Sequence, residues 1–100
     1  MMRKSVPDLL RDAAALYEQR NQQYGDAYKR IGPIMMQLLS GGIVLKSADD
    51  FNRMAIFTLI VIKLARYAQN FSDNGHTDSL DDLSVYSQML QELDQAERAK

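Results

Sequence analysis

The chain has 100 residues, of which 46% are hydrophobic and 25% charged, as expected for one globular domain spanning residues 1–100. Its formal net charge of -1 excludes a bulk field that attracts nucleic acid or an anionic membrane. The absence of cysteine excludes disulfides, thiolate zinc sites and cysteine nucleophiles. The polar N-terminal sequence lacks a signal segment, and no apolar stretch reaches the ~20 residues of a membrane span. We therefore expect a cytoplasmic protein without membrane contact.

The first predicted element is a long helix. Pro7 suits its first turn, with Ser5 or Val6 at the entry, and Gly25 marks its end. Apolar side chains recur along it at helical spacing. These are Leu9, Leu10, Ala13, Leu16, Tyr17 and Tyr24.

A shorter helix is predicted over residues 26–39. We expect it to be interrupted or begun again at Gly32-Pro33, because the residue before a proline disfavours the helical conformation. Residues 40–42, Ser-Gly-Gly, break the helix, and residues 43–45 predict a short extended connector.

The second half of the chain predicts two long helices. Ser47 and Asp50 have capping-box spacing and open a helix over residues 48–70. A turn follows at residues 73–77, and Thr77 or Asp78 is expected to cap the last helix. The apolar repeat of that helix is Leu80, Leu83, Tyr86, Leu90 and Leu93.

No strand is predicted, so the fold class is all-α, a bundle of three long helices plus a short one. Its ordered core runs over roughly residues 7–94, and the tail from Gln95 is expected to fray. The helix over residues 48–70 is apolar nearly all round and must be the centre or a subunit interface. Because so small a chain buries little surface alone, we expect a homodimer or homotetramer.

Two cations lie in the most apolar segment, at Lys63 and Arg66. Charged side chains in a buried helix require counter-charges, and the nearest acidic cluster is Asp78, Asp81 and Asp82. Lys63 and Arg66 could together hold a phosphate, or they could pair with the aspartates or extend to solvent. The aspartates in turn could share Mg²⁺, or they could cap their helix.

Two further patterns could contribute to a ligand site. Arg20, Tyr24 and Asp26 surround the end of the first helix, where tyrosine could stack on a base or sugar. The competing interpretation of this sequence is an ordinary helix terminus. His76, the only histidine, lies in the turn before Asp78 and is either a site residue or a solvent-exposed loop residue.

Three motifs together resemble small phage-encoded helical proteins related to the MazG-like nucleoside triphosphate pyrophosphohydrolases. They are Arg20-x-x-x-Tyr24-Gly25-Asp26, Lys63-x-x-Arg66-Tyr67 and His76-x-Asp78-Ser79-x-x-Asp82-Leu83-x-x-Tyr86. The resemblance covers roughly residues 10–93. It implies a dimeric or tetrameric all-α protein that acts on nucleotides with magnesium and releases pyrophosphate.

One departure from the family pattern bears on activity. Such enzymes place Glu-x-x-Glu on one helix and Glu-x-x-Asp on the next, and these carboxylates hold the metal ions. Here Asp82 matches the last acid, Ser79 replaces the preceding glutamate, and Asp78 offers a substitute beside it. Lys63-x-x-Arg66 stands where Glu-x-x-Glu is expected, and a cation pair cannot ligate magnesium.

The sequence therefore supports three functional hypotheses. The first is a MazG-like nucleotide-binding protein in which Lys63 and Arg66 contact phosphate, with a version that hydrolyses nucleoside triphosphates. In that version Asp78 and Asp82 form the catalytic metal site, with Asp81 as a further ligand. The second is a phage protein that sequesters a nucleotide without turnover. The third is a helical interaction module in which the ion network is purely structural.

Overall fold

The computed structural model describes residues 3–99, apart from the side chains of residues 23, 24 and 27. This part of the chain contains no strand, which confirms the predicted all-α class. The α-helices are α1 (Val6–Tyr24), α2 (Ala27–Leu38), α3 (Ala48–Gln69) and α4 (Thr77–Arg98), with a 3-10 turn at Phe71–Asp73. Within the described range no helix is long and apolar enough to cross a bilayer.

The centre of the fold is α3, which packs against both α2 and α4. The two buried hydrophobic side chains of the described core, Val61 and Ala65, both belong to α3. At its start the predicted capping box is present, since Asp50 N donates to Ser47 Oγ at 3.0 Å and Ser47 N donates to Asp50 Oδ2 at 3.2 Å. The backbone N–H groups of Lys46 and Ser47 lower the pKa of the Asp50 carboxyl.

The connection from α3 to α4 is short and closely packed. Asn74 and Gly75 adopt positive φ values of 72° and 83°, and a Cβ on Gly75 would lie 2.9 Å from Cε2 of Tyr67. The following helix begins one residue earlier than a Thr77 cap implies and two earlier than an Asp78 cap implies, because the cap is the ring of His76. At its other end α4 extends to Arg98, and the fraying expected from Gln95 stays a prediction.

The predicted break at Gly32-Pro33 is wrong, because α2 is continuous from Ala27 to Leu38 with Pro33 inside it. A proline in a helix clashes with the carbonyl four residues earlier and with the N–H and Cβ of the preceding residue, and it removes one hydrogen-bond donor. Gly32 has no Cβ, so part of that clash is absent.

The first helix projects from the rest of the molecule. All described side chains of residues 6–20 are exposed, including the apolar positions that the helical spacing predicts as a packing face. The Cα radius of gyration is 17.4 Å, whereas a compact domain of this length has roughly 13 Å. Local sequence signals therefore form α1, but among residues 3–99 no other element covers its apolar face.

Candidate functional site

A cleft of about 430 Å³ lies in the corner where α1 ends and α2 begins, beside the C-terminal half of α3. Its volume falls within the range of small-molecule sites. The lining residues are Tyr17, Arg20, Asn21, Gly25, Tyr28, Ile31, Ile62 and Arg66. The lining therefore combines aliphatic and aromatic surface with an arginine from each of two helices.

The corner is shaped by Gly25. Its φ of 64° and ψ of -157° belong to a region of backbone conformation that is essentially restricted to glycine. A Cβ at this position would also lie 3.0 Å from Nε2 of Gln69, at the end of α3. Arg30 Nη2 donates to Oε1 of the same Gln69 at 3.3 Å, so the α1–α2 turn is held against the end of α3.

Two tyrosines join α1 to α2 across this corner. The hydroxyl oxygens of Tyr17 and Tyr28 are 3.2 Å apart, and their rings meet edge to face with centroids separated by 6.4 Å. The hydrogen bond with Tyr28, with smaller contributions from desolvation and nearby charge, raises the pKa of Tyr17 to about 12. The pair places two aromatic rings at the cleft.

Acidic and basic groups also surround the start of α2. Asp26 Oδ2 lies 3.5 Å from Nζ of Lys29, and the negative charge of Asp26 raises the pKa of that lysine. Lys29 Nζ also lies 5.6 Å from the ring centroid of Tyr28, within the range of a cation–π contact. The hydrogen bonds around Asn21 are satisfied when its side-chain nitrogen faces Asp26. In this orientation the Asn21 amide nitrogen donates to Asp26 Oδ1 at 3.0 Å.

The structure separates the predicted cation pair. Lys63 Nζ lies 2.6 Å from Asp82 Oδ2, and the Lys63 side chain is only 14% exposed while that of Asp82 is 44% exposed. This contact is the ion pair across the α3–α4 hairpin that the sequence suggested. Arg66, three residues further along α3, instead lines the cleft beside Arg20.

The remaining predicted acids do not converge on a common point. Asp78 and Asp81 are exposed on the first turns of α4, whereas Asp82 contacts Lys63. Within residues 3–99 no group of three or more His, Asp or Glu side chains is arranged to hold a metal ion. As arranged, the Asp78, Asp81 and Asp82 set does not fit a divalent cation, because the ammonium of Lys63 occupies the position beside Asp82.

His76 has a defined local role. Ser79 N donates to His76 Nδ1 at 3.3 Å, and Ser79 Oγ lies 2.7 Å from the same nitrogen. Ser79 is fully buried, so this pair satisfies its polar atoms at the start of α4. His76 is therefore the N-cap of α4 and does not line the cleft.

A second groove, of about 280 Å³, lies at the opposite end of α3 beside the extended connector. Arg53 Nε donates to Asp94 Oδ1 at 2.8 Å, and Arg53 Nη1 lies 3.8 Å from Asp50 Oδ1. Hydrogen bonding to Asp94 raises the pKa of Arg53. These contacts join α3 to the end of α4, so we interpret this groove as structural.

Of the residues predicted for a ligand site, Arg20 and Arg66 meet in one cleft and Asp26 lies at its edge. The side chain of Tyr24 lies outside the described part of the chain. Sequence reasoning assigned Tyr17 to an apolar face and did not identify Tyr28 or Asn21. A signal for the tyrosines was present, since Tyr17 and Tyr28 flank the Gly25 turn on either side.

Comparisons with known proteins do not assign a family. No protein-family model matches the chain, and neither curated proteins nor solved structures give a match. The functional assignment therefore rests on the residues of the cleft and of the α3–α4 hairpin.

Proposed function

We propose that the protein binds a nucleotide in the cleft between α1, α2 and α3. The observation that carries the proposal is the presence of Arg20 and Arg66, from two different helices, with Tyr17 and Tyr28 in a single cleft. Positive charge and aromatic surface in one concave site match the two chemical parts of a nucleotide. The resemblance to MazG-like proteins supports the same ligand class.

The chemistry of each lining side chain suits a different part of a nucleotide. Arginine binds phosphate through a planar fork of N–H donors, so Arg20 and Arg66 are assigned to the phosphate groups. A tyrosine ring offers an apolar face for a base, and base–aromatic stacking contributes about 1–3 kcal/mol per base. Asn21 can supply amide hydrogen bonds to the sugar or base edge.

Binding without hydrolysis is the better supported version of this function. The MazG-like resemblance implies magnesium and catalytic carboxylates, yet Asp82 is paired with Lys63 at 2.6 Å. The alternative, a magnesium-dependent pyrophosphohydrolase built on Asp78, Asp81 and Asp82, requires the Lys63–Asp82 pair to open when nucleotide binds.

Isothermal titration with nucleoside mono- and triphosphates, with and without magnesium, tests the proposal. We expect Arg20→Gln and Arg66→Gln each to weaken binding about tenfold or more, because each loses a charge-assisted contact to phosphate. The matched control is Arg11→Gln, which removes an exposed arginine of the same helix α1 outside the cleft. Binding that is equal in all three variants, or absent from the wild type, would refute the proposal.

Chromatography of the nucleotides recovered after titration separates binding from hydrolysis. Unchanged triphosphate supports sequestration. Magnesium-dependent conversion to monophosphate that is abolished by Asp82→Asn supports the pyrophosphohydrolase. No binding of any nucleotide would instead favour a helical interaction module with a structural ion network.

A further inference from the structure

The described part of the chain leaves one face of α1 without a partner. Val6, Leu9, Leu10, Ala13 and Leu16 are spaced by three or four residues, which places them within an arc of about 120° on a helix. We call these five residues the α1 stripe. All are exposed, and Leu10 is 65% exposed. Contiguous exposed apolar surface of this kind marks an interaction site.

The stability of α1 also requires a partner. Most helices in proteins are stabilised by packing of their apolar face, and the described part of the chain leaves that face of the 19-residue α1 exposed. Local features support α1, including the Ser5 cap and the Arg11–Asp8 ion pair at 2.7 Å. The exposed ion pair contributes only tenths of a kcal/mol and the cap about 1 kcal/mol, so they do not replace the missing packing.

The exposed area indicates how much surface is left to bury. The chain exposes 7913 Å², whereas a compact monomer of 11.4 kDa exposes roughly 5800 Å². The difference, about 2100 Å², exceeds the roughly 800 Å² that each partner buries in a standard protein interface.

We infer that the occupant of the α1 stripe is the α1 helix of a second copy of this chain, paired antiparallel about a two-fold axis. In this pairing residue 11 of one copy lies at the same level as residue 11 of the other. Val6 then packs against Leu16 of the second copy, and Leu9 packs against Ala13 of the second copy. Each contact occurs twice by symmetry, as an isologous interface requires. Large side chains then face small or medium ones, which favours interdigitation.

This register leaves the ligand cleft in place. Tyr17 and Arg20 lie on the last turns of α1, beyond the paired segment, where they face α2 and α3 of their own chain. The interface is independent of the proposed ligand. Its failure would not affect the assignment of the cleft, and loss of nucleotide binding would not affect the interface.

Light scattering coupled to size-exclusion chromatography tests the interface. We expect the wild type to have about twice the 11.4 kDa mass of the chain. Ala13→Asp places a charge in the stripe, and it should give a monomer with reduced helicity by circular dichroism. Ala15→Asp is the matched control, because it makes the same change on the opposite face of the same helix and should remain dimeric. A monomeric wild type, or an Ala13→Asp variant with the wild-type mass, would overturn the inference.

Disulfide cross-linking tests the antiparallel register without disturbing the fold through a buried charge. The wild-type chain has no cysteine, so single cysteines can be introduced cleanly. A mixture of Leu9→Cys and Ala13→Cys should form a mixed disulfide on oxidation, because the two positions face each other across the interface. Efficient cross-linking of Ala13→Cys with itself would indicate a parallel pair and contradict the register, as would a mixture that does not cross-link.

Discussion

Neutralising Asp82 is expected to destabilise the protein by leaving a poorly solvated charge on Lys63. The Lys63 side chain is 14% exposed, whereas Asp82 is 44% exposed. Exposed ion pairs contribute about 0–1 kcal/mol, and breaking a buried pair costs about 3–5 kcal/mol. Because only one partner is substantially buried, we expect Asp82→Asn to lower the free energy of unfolding by about 1–2 kcal/mol.

The reciprocal substitution should cost less. Lys63→Met keeps most of the aliphatic stem that packs in the α3–α4 hairpin, and Asp82 can then be hydrated by solvent. We therefore expect a loss below about 1 kcal/mol for Lys63→Met. Combining both substitutions should recover part of the cost of Asp82→Asn, since no unpaired ammonium remains.

Urea denaturation at one fixed protein concentration measures these changes. A lower midpoint with an unchanged slope would show a change in stability and not in the compactness of either state. Asp81→Asn is the matched control, because Asp81 is exposed on the same helix and should change stability by less than about 0.5 kcal/mol. If Asp82→Asn is no less stable than Asp81→Asn, the ion pair does not stabilise the hairpin and the reasoning is refuted.

Three further predictions concern the corner and the caps. Gly25→Ala should lower the free energy of unfolding by about 1–3 kcal/mol, because the Gly25 conformation is unfavourable for residues with a Cβ. A thermal midpoint equal to that of the wild type would contradict this. His76→Ala should lower the free energy of unfolding by about 1 kcal/mol through loss of the α4 cap, and His76→Asn should recover most of that stability. Equal thermal midpoints for the two variants would argue against capping. The Tyr17 pKa of about 12 implies stability that is fully present below pH 10 and lost as the pH rises from about 10 to 12. Absorbance titration should show one late-ionising tyrosine, absent from Tyr28→Phe, and identical titrations would exclude the Tyr17–Tyr28 hydrogen bond.

The end of α1 and the start of α3 were predicted correctly because local chemistry determines them, whereas the cap of α4 is His76 and not Thr77 or Asp78. The Ser47–Asp50 capping box starts α3 at Ala48, as expected, because both of its hydrogen bonds lie within one turn of the chain. Gly25 likewise ends α1 through its own backbone conformation. The prediction failed at Pro33, where the absence of a Cβ on Gly32 relieves the steric conflict that usually ends a helix.

The candidate site was predicted only in part, because its residues are gathered by packing between helices. Lys63 and Arg66 are three residues apart and therefore point about 60° apart around α3. One of them contacts Asp82 on α4, while the other lines the cleft formed with α1 and α2. Spacing within one helix cannot reveal which neighbour each side chain meets.

The sequence by itself determined that this protein is all-α, where its central helix begins, and that Lys63 requires a counter-charge. These properties depend on hydrogen bonds within a turn, on apolar periodicity and on the cost of burying a charge. Only the tertiary structure decided that Asp82 is the acid that meets Lys63, that Arg66 joins Arg20 and two tyrosines in a cleft, and that α1 is left uncovered. Those outcomes depend on how the helices are oriented in space, which is set by packing between residues far apart in the chain.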